Sequence, residues 1–257
     1  MLVWTAVASA QSTNIDRDIL LLQKILAQHS DAELYYRLGD LYVQKGRQTG
    51  DIEYFSLAGK ALRNSLAMEP DLGPAHSHLA FVLYSLHDFA GAEDEGREAI
   101  RLNPRDSSAY GVMGDAQLET GQYDKAADTY SKMIALSGDL YSYSRRSGLE
   151  TMRGQNRRAV ADLQLAIADG MQRSEPPEGI AWAQTMLAQD YFRMGKLNDG
   201  STEGLAALKT YPEYFRALAV LGQIHAAQGD LAGAVGYYHR AIAIIPLPEY
   251  AAALGDV

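Results

Sequence analysis

The chain has 257 residues, with 32 acidic against 23 basic side chains, a formal charge of −9 and no cysteine. That balance argues against a general nucleic-acid binder, which shows a basic face, and against attraction to anionic lipid. Disulfides, thiolate metal sites and cysteine nucleophiles are excluded, and no apolar run is long enough to span a bilayer.

Residues 1–13 read as a leader. A short apolar stretch, Leu2 to Val7, precedes Ala8-Ser9-Ala10, which has the small-residue character of a signal-peptidase site. Export to a periplasm or the medium is therefore expected, with a cytoplasmic home as the alternative because no positive charge opens the stretch. Residues 14–29 follow as a lone capping helix, with leucines and isoleucines at helical spacing between Asp16 and Gln28 and Asn14 or Asp16 as N-cap.

From residue 30 onward the chain repeats itself. Leu38-Gly39, Leu79-Ala80, Met113-Gly114, Leu187-Ala188, Leu221-Gly222 and Leu254-Gly255 are echoes of one large-then-small pair. Seven residues after the small member of five of them stand Gly46, His87, Gly121, Gly195 and Gly229, and Pro70, Pro104, Pro212 and Pro246 close most units. The repeats lie near 31–70, 71–106, 107–139, 140–171, 180–214 and 215–247, with a partial one at 248–257. Such self-similarity predicts stacked units, each a helix, a tight turn and a second helix. The small residue lets two helices cross closely, the glycine stops the first helix in a left-handed conformation, and the proline ends the second.

Three places depart from the pattern. Repeat one carries extra residues around Arg47 to Glu53, expected to lengthen its inter-helix loop. Repeat four places Arg146, Glu150 and Asn156 at apolar packing positions, where an unpartnered charge would cost several kcal/mol. Pro176-Pro177 predicts a break near 170–179 that uncouples the halves. The chain also stops partway through a repeat, so Ala252, Leu254 and Val257 would lack a partner helix; continuation beyond Val257, or self-association through that end, is expected.

The units, for example "RALAVLGQIHAAQGDLAGAVGYYHRAIAIIP", resemble the tetratricopeptide repeat, over about nine-tenths of the chain. The resemblance implies an all-α superhelical solenoid of antiparallel helix pairs whose first helices line a concave groove. It also places Tyr36, Asp40, His78, Phe81, Tyr84, Asp115, Arg145, Trp182, Gln189, Phe192, Arg193 and Arg216 on that groove. Aromatic residues and arginine are enriched at interface anchors, so a non-catalytic scaffold holding a peptide or helix of a partner protein is the expected function. A self-assembling envelope subunit and the regulatory arm of a longer enzyme are the alternatives. The carboxylate clamp of chaperone adaptors is not expected, because Tyr36 and Asp40 occupy its Lys and Asn positions.

No enzyme, cofactor or metal is expected. Nucleophile-elbow, zinc-protease and phosphate-loop motifs are absent from the sequence. His76 and His78, two apart, point to different sides of a helix, and His225 falls where Tyr42 and Tyr191 pack in other repeats.

Overall fold

The computed structural model describes residues 15–49 and 51–257; the leader and the Asn14 cap lie outside them. These residues form fourteen helices and no strand. Helix α1 covers residues 15–26. It is followed by α2 (Ala32–Thr49), α3 (Ile52–Met68), α4 (Gly73–Ser85), α5 (Phe89–Leu102), α6 (Ser107–Glu119) and α7 (Tyr123–Leu136). Then come α8 (Leu140–Met152), α9 (Asn156–Gln172), α10 (Pro177–Arg193), α11 (Leu197–Thr210), α12 (Phe215–Ala227), α13 (Leu231–Ile244) and α14 (Pro248–Gly255).

Two compact units divide between Leu136 and Ser137. The first holds α1 and the antiparallel pairs α2/α3, α4/α5 and α6/α7. The second holds α8/α9, α10/α11 and α12/α13, with α14 packed on α13. Within each unit the first helices touch: α4 meets α2 and α6, and α10 meets α8 and α12.

Local chemistry explains the boundaries. Aspartates accept backbone N–H bonds at several helix starts: Asp88 from Gly91, Asp106 from Ser108 and Ala109, Asp230 from Gly233. Asp139 and Ser142 form a reciprocal capping box on α8. The corner residues Gly121, Gly154, Gly195 and Gly229 have φ between 71° and 80°, the left-handed region where a Cβ is penalised. His87 fills the same role at φ 61°.

Crossings of paired helices are tight enough to require the small residue. A Cβ at Gly39 would stand 2.7 Å from Leu62, and one at Gly114 2.5 Å from the Tyr130 ring. At Gly222 it would stand 2.9 Å from Tyr238. Around these crossings Leu62, Leu79, Tyr130, Leu163, Leu187 and Leu221 are fully buried, each apolar side chain contributing about 1.5–3 kcal/mol by leaving water.

Four expectations are corrected. The extra residues of repeat one extend α2 to Thr49 instead of lengthening the loop, since α3 starts at Ile52. Gly46 therefore does not stop a helix; it lies inside α2 and lets the Phe55 ring approach, its missing Cβ 3.1 Å from that ring. Pro176-Pro177 does not open the stack. Pro176 takes φ −51°, ψ 136° and Pro177 occupies the first turn of α10, where a missing N–H is harmless. Leu140, Ala166, Ile180 and Ala183 form one core cluster across that junction, inside the second unit. Asp16 is not a cap either: it lies within α1 and binds Lys45 Nζ at 2.9 Å.

Repeat four partners one of its two charges. Arg146 on α8 donates to both carboxylate oxygens of Asp162 on α9, at 2.5 and 2.6 Å. Asn156 starts α9 at an exposed position and not a buried packing one. Glu150 keeps its Oε2 buried and without a hydrogen-bond partner. Burial, then the charge of Asp162, raises its pKa against the pull of Arg146 and Arg158.

Candidate functional site

In the first unit the first helices carry a row of half-buried aromatic and polar groups. Tyr36 on α2 meets His78 on α4 edge to face, with centroids 5.3 Å apart. The His78 ring lies between two acceptors, the Pro74 carbonyl at 2.9 Å from Nδ1 and Asp40 at 3.3 Å from Nε2. Both nitrogens must donate to satisfy both contacts, which selects the imidazolium. Burial opposes that charge, but the Asp40 hydrogen bond, the Pro74 carbonyl and the Asp40 charge outweigh it and raise the His78 pKa. The same hydrogen bond holds the Asp40 carboxyl below its ordinary value despite burial.

Farther along α4, Phe81 packs against Phe55 at 6.1 Å with Arg47 over its ring. Tyr84 stacks near Phe89 and directs its hydroxyl toward Glu119 on α6 at 3.5 Å. Asp115 accepts from the Tyr130 hydroxyl of α7 at 2.8 Å, which ties it to its own repeat's second helix.

In the second unit the expected residues separate into two groups. Trp182 packs into two clusters, one with Leu140 and Ile180 and one with Ala181, Tyr214 and Ala217. Phe192 packs with Ala188, Val220 and Ile224. These two aromatics therefore serve mainly the core. By contrast Arg193 and Arg216 are exposed, Arg216 lying over the Phe215 ring at 5.5 Å. Gln189 is half-buried. Arg145 reaches the Tyr141 carbonyl of its own helix at 3.5 Å.

One cluster was not anticipated. Asp190 on α10 is buried and accepts from Thr151 Oγ1 of α8 at 3.0 Å and from Arg193 Nη1 at 3.1 Å. Burial raises its pKa, and those two donors counter the rise. A signal existed in the sequence: two places after the small residue, the other repeats carry Leu41, Val82, Ala116 and Ile224, and only Asp190 is charged there. Gly148, Met152, Met186 and Gln189 complete a cavity of about 310 Å³ around it.

Among the described residues no group of three or more His, Asp and Glu is placed to hold a metal ion. No helix among them is long and apolar enough to cross a membrane.

The chain matches solved structures throughout its length at low sequence identity. A tetratricopeptide repeat protein from Parabacteroides merdae superposes with a TM-score of 0.74 at 16% identity, over 99% of this chain and 96% of that one. The Cut9–Hcn1 hetero-tetramer of the APC/C gives a TM-score of 0.75 at 16% identity over 95% of this chain, which spans 46% of the longer one. YrrB, described as a tetratricopeptide repeat protein with an unusual peptide-binding site, gives 0.51 at 16% identity, over 77% of this chain and all of that one. No curated protein matches by sequence. Family models described as tetratricopeptide repeat match residues 32–70, 79–140 and 185–247, together well over half of the sequence. With the helix-pair geometry, they show that the chain belongs to the tetratricopeptide-repeat family.

Proposed function

We propose that the chain is a non-catalytic scaffold whose first-helix faces hold an extended peptide or helix of a partner protein. The fold is typical of interaction scaffolds, and YrrB carries a peptide-binding site on similar repeats. The observation that carries the reading is the chemistry of those faces. The first unit presents Tyr36, His78 and Tyr84 with Asp40, and the second presents Gln189, Arg193 and Arg216 beside apolar surface. Half-buried aromatics and exposed arginines beside apolar surface are among the groups from which binding energy at interfaces is drawn.

A random peptide library displayed on phage tests this with the full chain as bait. Selected peptides should bind more weakly to Tyr84→Ala, or to Arg193→Glu combined with Arg216→Glu. They should bind normally to Leu165→Asp and Leu205→Asp, which alter exposed positions on second helices. A library that yields no binder, or binders sensitive only to the second-helix changes, refutes the reading.

A further inference from the structure

The cavity at the junction of α8 and α10 is built from two facing stripes. Helix α8 supplies Gly148, Thr151 and Met152, and α10 supplies Met186, Gln189, Asp190 and Arg193. The second set follows the spacing of one helical face. The Thr151–Asp190 hydrogen bond joins the two stripes, Met152 and Met186 line them with flexible apolar side chains, and Arg193 stands exposed while bound to Asp190.

Gly148 is the informative member. A mid-helix glycine costs about 1 kcal/mol relative to alanine; close packing explains it at Gly39 and Gly114, whereas Gly236 inside α13 is open like Gly148 but lies outside this cavity. At Gly148 a Cβ would meet nothing within 4 Å, and its φ is not positive. The missing side chain leaves space open instead of admitting a neighbour. At about 310 Å³ the space lies at the bottom of the roughly 300–1,000 Å³ range of small-molecule pockets, and it has room for one inserted side chain.

We propose that this slot receives a single apolar side chain of the size of leucine, methionine or phenylalanine from the partner peptide, followed by an acidic residue that pairs with Arg193. The proposal rests on the scaffold reading and specifies its ligand. Methionine walls adapt to several apolar shapes. Asp190 fixes one edge of the Arg193 guanidinium, and that side chain remains 59% exposed, so it offers donors to a carboxylate at the rim.

The test uses the selected peptides on the full chain. They should share an apolar residue beside an acidic one. Gly148→Leu fills the slot from within, and binding should fall roughly 10- to 100-fold, the loss expected for one unburied apolar side chain. Arg193→Gln should remove the preference for the acidic neighbour. Peptide titration should also shift the ¹³C methyl resonances of Met152 and Met186 in the unaltered protein, a readout independent of how well any variant folds. Peptides that depend on other first-helix residues, yet bind Gly148→Leu normally and leave both methyls unmoved, overturn the slot and leave the scaffold standing. If the library yields no binder, scaffold and slot fall together.

Discussion

Replacing Arg146 with leucine would leave the Asp162 carboxylate buried without a cation. In the folded chain Asp162 is 7% exposed and Arg146 30%. The two bonds between them, at 2.5 and 2.6 Å, are the hydrogen bonds the Asp162 side chain makes. Breaking one side of a buried pair costs about 3–5 kcal/mol. The partial exposure of Arg146 lets water reach the site, so about 3 kcal/mol is expected. Glu150 lies one turn along α8 and would lose the arginine charge that opposes its own raised pKa, which adds to the loss. With a urea slope of about 2 kcal/mol per molar, the midpoint should fall by about 1.5 M, followed by circular dichroism. The variant Arg146→Leu with Asp162→Leu should recover most of the loss, because an apolar pair of similar volume carries no desolvation penalty. A single variant within about 1 kcal/mol of the parent, or a double variant no more stable than the single, would refute the reasoning.

Two further outcomes follow from the geometry. Because the folded-state pKa of His78 is raised, its interaction with Asp40 and the Pro74 carbonyl contributes fully below the ordinary imidazole pKa of about 6.5 and is lost as pH rises through the folded value. Melting temperatures should therefore fall with rising pH just above that range, and His78→Gln should flatten the slope; an unchanged slope would show that His78 does not carry it. Gly114→Ala should cost about 1–3 kcal/mol by overpacking, since the new Cβ meets a Tyr130 ring fixed by Asp115, whereas Gly148→Ala, with open space, should gain up to about 1 kcal/mol of helix propensity. Equal thermal shifts for the two glycine variants would contradict the crossing geometry.

The repeat spacing made the helix pairs legible, because large-small pairs, corner glycines and closing prolines report backbone geometry directly. Where one feature has two geometric solutions, spacing misled. Polar residues after Gly46 suit a longer helix as well as a longer loop, and the packing of Phe55 on Gly46 decides for the helix. The proline pair at 176–177 can break a chain or begin a helix, and the core formed by Leu140 and Ile180 favours the latter. Arg146 looked costly because its partner, Asp162, lies on another helix. The candidate site was legible as a face and less so as a set of contacts. Trp182 and Phe192 fall on first helices as expected, but the adjacent repeat's clusters take up much of their surface. Asp190 was missed because charge at packing positions was weighed in repeat four alone, and repeat five otherwise keeps the large-small pattern.

The crossings at Gly114–Tyr130 and Gly222–Tyr238 have a consequence for how such a chain changes over generations. In both, a hole on the first helix and the ring that fills it sit sixteen residues apart, inside one repeat. Lock and key are thus inherited on the same short stretch of sequence. Duplicating or deleting that stretch moves both halves together and never strands a ring without its hole. Point changes are constrained differently: enlarging the glycine is tolerated only after the tyrosine has shrunk. Such a chain can vary its length by whole helix pairs more readily than it can vary either member of one of these couples alone.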